Sequence, residues 1–254
     1  MKNLYLVVLI VFLFGSFSDL QSAQPLKPVN QRFSAASHEE VPDFQRHVVP
    51  LMSRLGCNGR ACHGSFQGRG GFQLSLFGYD FAVDHQALFD EESPRVNLES
   101  PNESLIISKP TDDFAHEGGK RYDKGSWEYN VLRKWVAGGA EFDETNISKL
   151  IEVEITPTEI QFSKPNQTVQ MKVIAVWDDG TREDVTPLVR YYTNDNLIAD
   201  IDENGLVTSG ESKGDTHVVI SYDKAVVPVP VLRPLTNLVG KKYPRVETPT
   251  RVDE

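Results

Sequence analysis

The stretch IEVEITPTEIQFSKPNQTVQMKVIAVWDDG, residues 151–180, changes the grammar of the chain. Upstream, apolar residues recur at helical spacing. From Ile151 they alternate, or run in short Val- and Ile-rich blocks broken by DDG, NG and KGD turns. VRYYTN, NLIADIDENGLVTSG and DTHVVISYDKAVVPVPVL continue the pattern to residue 232. About six or seven short strands in such a span predict a two-sheet sandwich. No cysteine staples it, because the only two, Cys57 and Cys62, lie far upstream. The acids Asp178, Asp179, Glu183 and Asp184 of WDDGTREDVT lack the alternate-oxygen spacing of an EF-hand, so they read as a solvated hairpin turn.

Residues 41–148 predict a small α-rich domain. In VPDFQRHVVPLMSRLGC, Phe44, Val48, Met52 and Leu55 share one face. Pro50 has no amide hydrogen and crowds the carbonyl of Arg46, which predicts a kink there. FAVDHQALFDEE predicts a second short helix. SPNESLII predicts a third, with Ser100 as cap, Pro101 in the first turn and Glu103 reaching back. SWEYNVLRKWVAGGA predicts a fourth, with Trp127, Val131, Leu132 and Trp135 on one face and Gly138-Gly139 ending it. The two tryptophans read as core packing rather than an electron path. Residues 24–40 are polar, contain proline and have no apolar period, which predicts a linker; residues 233–254 return to that composition as a C-terminal tail.

Residues 1–23 have the build of a secretory signal peptide, with Lys2, an apolar run from Leu4 to about Phe17, and a small residue at Ala23. An exported protein at the periplasm or cell surface follows, with a membrane attachment only where the leader stays uncleaved. Free thiols seldom persist in such an oxidising space. The net charge of −10 leaves no basic stripe for a nucleic acid.

RLGCNGRACHGSFQ, residues 54–67, therefore needs an explanation. Cys57, Cys62 and His63 form C-x4-C-H, two residues longer than the C-x-x-C-H haem attachment signature. That chemistry needs two sulfurs at the vinyl spacing and an imidazole after the second, and Asn58 and Gly59 suit a loop that arches. A Cys57–Cys62 disulfide is the open alternative. A tetrahedral zinc site lacks a second ligand pair, and a redox dithiol would prefer C-x-x-C on a βαβ scaffold.

FQRHVVPLMSRLGCNGRACHGSFQGRGGFQLSLFGYD, SLIISKPTDDFAHEGGKRY and LRKWVAGGA, within residues 44–140, resemble the cytochrome-c-like module at the front of planctomycete-type exported multidomain proteins. VEITPTEIQF, VIAVWDDGTREDVT and DIDENGLVTSG, within 151–232, resemble the group 2 bacterial Ig-like domain that usually follows it. Members of that family often continue into further large domains, whereas this sequence ends at Glu254. The resemblance implies haem c bound covalently by Cys57 and Cys62, with His63 as the proximal iron ligand. It also implies a fold of two parts, a small α-helical cytochrome-c-like domain followed by an Ig-like β-sandwich.

For the sixth iron position, Met1 leaves with the leader, Met171 lies in the β region, and Met52 reads as core packing. His116, in the loop DDFAHEGGKRY, is the candidate distal ligand, with Gly118 and Gly119 allowing close backbone approach. His85 reads as a helix-surface residue. His38 and His47 lie on the linker and a polar helix face, and His217 on a strand. Lys120, Arg121 and Tyr122 are candidates for haem propionates or a charged turn in water. The expected function is electron transfer to a redox protein partner rather than catalysis, with the Ig-like part a spacer or a binder of a cell-surface protein or polysaccharide. The alternatives are a disulfide-closed adhesion or binding module without haem, and an enzyme fragment supplying electrons to a catalytic partner.

Overall fold

The computed structural model describes residues 24–37, 39–236, 238 and 242. The expected signal peptide, His38 and most of the 233–254 tail lie outside the described residues. No described helix is long and apolar enough to cross a membrane.

The β-branched blocks form strands β1 (Leu150–Thr156), β2 (Ile160–Gln161), β3 (Thr168–Gln170), β4 (Lys172–Trp177) and β5 (Arg182–Asp184). Strands β6 (Arg190–Thr193), β7 (Ala199–Ile201), β8 (Leu206–Ser209), β9 (Gly214–Tyr222) and β10 (Ala225–Arg233) follow. They assemble as β1-β4-β5, β2-β10-β9-β6 and β3-β8-β7, antiparallel except for the β2–β10 pair. The long β9–β10 hairpin turns at Asp223-Lys224, where Asp223 takes φ +50° as a two-residue hairpin turn requires. Pro228 and Pro230 leave the β9 register unbroken, and β2 joins β10 only beyond them, at Val231 and Leu232. This half is β-rich and fits an Ig-like region.

The front half overturns the expected architecture of a small α-helical cytochrome-c-like domain followed by a sandwich. Its helices are α1 (Val29–Arg32), α2 (Val49–Arg54), α3 (Phe81–Leu88), α4 (Leu105–Ser108) and α5 (Trp127–Ala137). The longest, α5, has 11 residues, and long irregular segments join them. Helical spacing is present in the sequence, but each run is too short to build a helix-on-helix core by itself. Around Pro50 the chain does not kink an α-helix. Phe44–Val48 forms a π-turn, and α2 begins beyond it with Pro50 in its first turn, where a missing amide hydrogen costs nothing.

The short helices instead share one apolar core with the strands, running from Val29 and Phe33 through Trp135 to Trp177 and Val231. The stretch expected as a linker takes part in it. Val29 and Phe33 are fully buried, and Leu26 bridges to Glu183, donating its amide to the Arg182 carbonyl at 2.8 Å. Polar contacts close the same seam. The Arg46 guanidinium lies 4.6 Å over the Trp177 ring and donates to Asp179 at 2.7 Å, while the Tyr222 hydroxyl donates to the Arg46 carbonyl at 2.8 Å. Buried Glu183 pairs with Arg32 and, at 2.7 Å, with His47 Nε2. The Asp43 amide donates to His47 Nδ1, so His47 carries its hydrogen on Nε2 and donates it to Glu183. His47 is thus buried rather than on a polar helix face, and Glu183 belongs to this seam rather than to a solvated turn.

Candidate functional site

The cysteine loop folds back on the end of α2. The Cys57 amide reaches the Met52 carbonyl at 2.8 Å, and Gly56 takes the left-handed φ of +77° that lets the chain leave the helix. His63 N–H then donates to the Cys57 carbonyl at 2.9 Å, and Cys62 N–H to the Gly59 carbonyl at 3.0 Å, closing the loop on itself. Asn58 is an anchor rather than the crest of an arch: it is fully buried, and its amide donates to Ser53 Oγ at 2.8 Å. Cys57 and Cys62 are unlinked thiols. Burial pushes the Cys57 thiol up to about 11, and Arg121, 4.0 Å from the Cys62 sulfur, only partly offsets this.

Both cysteines open onto a cavity of about 300 Å³ lined wholly by residues between Met52 and Leu132. His63 and His116 line it too, so the loop that ends at His63 and the loop that carries His116 meet across it. Their ring centroids lie 6.4 Å apart with planes 17° from parallel. Nδ1 of His63 lies 2.9 Å from the Phe72 carbonyl, and Nδ1 of His116 lies 2.8 Å from the Gly119 carbonyl. A carbonyl only accepts, so each Nδ1 holds a proton, and in the neutral ring Nε2 is the acceptor nitrogen. Metal-binding histidines are commonly oriented in this way. Burial draws the His63 pKa below the usual histidine range, against the bond to Phe72, and so favours the neutral imidazole.

The rest of the lining divides by chemistry. Leu55, Phe72, Ile106 and Leu132 supply apolar wall, and Met52 packs beside them from α2. Arg69, Arg95, Lys109 and Arg121 supply positive charge, with Glu117 as counter-charge. In an acidic chain this is a local basic pocket, suited to a flat apolar group that carries carboxylates. Arg121 belongs to it. Tyr122 forms a wall, its buried hydroxyl donating to the Ile106 carbonyl at 3.1 Å. Lys120 lies outside the lining and pairs with Asp123.

The other candidates are placed elsewhere. His85 is packed among Phe44, Phe89 and Phe142, with Nε2 donating to the Ala140 carbonyl at 2.8 Å, so it is not a helix-surface residue. Trp135 stacks on Phe44 at 5.1 Å, and Trp127 sits under the Arg54 guanidinium. Met171 is buried in the β half, and His217 lies on β9. Phe72, Arg95 and Lys109 were invisible as site residues, because no motif links them to the cysteines and only the loop crossings bring them in.

Among the described residues no group of three or more His, Cys, Asp and Glu side chains converges on one point. A macrocycle with its own in-plane nitrogens needs only two axial groups. A first-row metal ion held by one nitrogen from each of two imidazoles lies about 2.0–2.1 Å from each, which puts the ring centres roughly 6–6.5 Å apart. The 6.4 Å between the ring centres falls in that range, and one cavity brings both imidazoles and both thiols together, so the donor set suits a haem.

No protein-family profile matches the chain, and no curated protein matches it. Among solved structures it is similar to domains 5-6 of the S-layer protein SbsC, at 20% identity and a TM-score of 0.29, over 35% of this chain and 45% of that one. It is also similar to domains 4 and 5 of that protein, at 19% identity and a TM-score of 0.30, over 34% of this chain and 53% of the other. The chain thus spans about half the length of the structures it matches. Similarity at this level leaves the cavity to be read from its own residues.

Proposed function

We propose that this chain is an exported haem protein that carries electrons, in which Cys57 and Cys62 would hold haem c and His63 and His116 would bind its iron. One observation carries this reading: two imidazoles, each with Nδ1 held by a backbone carbonyl, lie 6.4 Å apart in a cavity that the chain's only two thiols also line. The resemblance to cytochrome-c-like modules supports the chemistry but not the fold. A bound haem supplies reversible one-electron transfer.

The chain's own residues set the conditions for it. Cys57 and Cys62 would fix the group by thioethers, which requires both sulfurs to be reduced when it arrives. The Phe72 and Gly119 carbonyls hold the imidazole orientations, and the apolar wall from Leu55, Phe72, Ile106 and Leu132 keeps water from the ring faces. Arg69, Arg95, Lys109 and Arg121 balance carboxylates at the cavity mouth. Two nitrogen ligands set a lower potential than a His/Met pair would. The fitting partner is a redox protein of the periplasm or cell surface. Protein matured in a host competent for cytochrome c assembly should give a pyridine haemochrome spectrum whose haem resists acid–acetone extraction. Colourless protein, haem that extracts, or a mass two hydrogens below the reduced chain overturns the proposal.

A further inference from the structure

We propose that Gly118 is the positioning residue that makes His116 an axial ligand, an inference that rests on the haem reading of the cavity. Residues 116–119 form a turn closed twice over its own backbone. The Gly119 amide donates to the His116 carbonyl at 2.8 Å, and His116 Nδ1 donates back to the Gly119 carbonyl at 2.8 Å. The imidazole is thereby laid across the turn, directly over Gly118. A Cβ at position 118 would lie 2.8 Å from His116 Cε1, 3.2 Å from Nε2 and 3.3 Å from Nδ1.

The two adjacent glycines serve different ends. Gly119 has φ +72° and open space where a Cβ would go, so its demand is on the backbone alone. Gly118 is not among the residues with positive φ, so its backbone accepts any L-residue. The three atoms nearest to such a Cβ all belong to the ring of His116. The ring is half-buried on an exposed loop, so it is the part that gives way. Swinging it aside breaks the Nδ1 bond to Gly119 or moves the imidazole from its place 6.4 Å from His63, or both. A single methyl at 118 thus acts on the sixth ligand while leaving the thioether residues and His63 untouched.

The test uses the matured, haem-loaded full chain and reads the ferric spin state by visible absorption and electron paramagnetic resonance. The parent should be low-spin with two imidazole ligands. Gly118→Ala and His116→Ala should both keep covalent haem and convert most of it to the high-spin form, and added imidazole should restore the low-spin spectrum in each. Gly125→Asn, at a left-handed glycine that meets open space and lies outside the cavity lining, should stay low-spin. A Gly118→Ala protein that remains fully low-spin overturns the inference, as does one that fails to fold, since the atoms nearest to the methyl are the end of a half-buried side chain that can move aside. A low-spin His116→Ala protein overturns it by removing His116 from the iron. Loss of covalent haem from the parent itself defeats the cofactor reading instead.

Discussion

Asp84 shows how far a single residue departs from what its neighbours in sequence suggest. It sits on α3, yet it is fully buried, accepting from the Ser75 amide at 2.5 Å and the Ser75 hydroxyl at 2.9 Å. Burial raises its pKa from 3.8 to about 6 against those two bonds. A carboxyl whose folded pKa is raised favours folding most below its unfolded pKa, and that advantage is lost as pH rises through about 6. Asp84→Asn keeps both Ser75 contacts with a neutral group. Its unfolding free energy from urea titration should match the parent's near pH 4 and exceed it near pH 7, by up to about 3 kcal/mol. A stability difference that does not vary with pH would show the carboxylate to be solvated. Cys57, Cys62 and His63 were legible at this scale because attachment chemistry needs them adjacent in sequence. Asp84, Asn58 and His85 were not, because their partners at Ser75, Ser53 and Ala140 say nothing of themselves in the primary pattern.

At the scale of elements, helix signals succeeded where the cap and the apolar face agreed. Ser126 caps α5 by accepting from the Tyr129 amide, Val131, Leu132 and Trp135 are buried along it, and Gly138-Gly139 end it. Ser126→Ala should cost about 1 kcal/mol of stability by urea unfolding. A change below a few tenths would mean that tertiary packing alone holds the first turn. The signals failed at Ser100, which makes no capping bond. Pro101–Glu103 forms a single 3-10 turn, extended backbone at Ser104 resets the chain, and α4 starts only at Leu105. The Ser104 hydroxyl, not that of Ser100, then organises the bend by accepting from the Asn97 amide at 2.9 Å. The β half was easier to read, because a side chain on a strand needs only alternation and a turn residue to declare its face.

For the whole molecule, the shared core and the Glu183 seam make a mechanical prediction. Burial pushes the Glu183 carboxyl up, but His47 and Arg32 more than compensate and hold its pKa below the usual range. Glu183 therefore favours the joined structure above the ordinary carboxylate pKa and ceases to do so as pH falls through its depressed folded value. Near neutral pH the front and β halves should unfold in one transition, read as a common urea midpoint for hydrogen exchange in α5 and β4 peptides. Two separate midpoints would mean that the seam is a weak contact between independent domains.

By itself the sequence determined the local features: where strand grammar begins, which residues can bear a thioether, and which stretch can cap a helix. These depend on neighbours along the chain, through backbone sterics, periodicity and covalent spacing. The tertiary structure alone decided that the front half is not a free-standing helical domain, that Val29 and Phe33 are core, and that His63 and His116 meet at one cavity. Burial and ring-to-ring distance are set by segments far apart in sequence, and their packing free energy exists only once those segments have met.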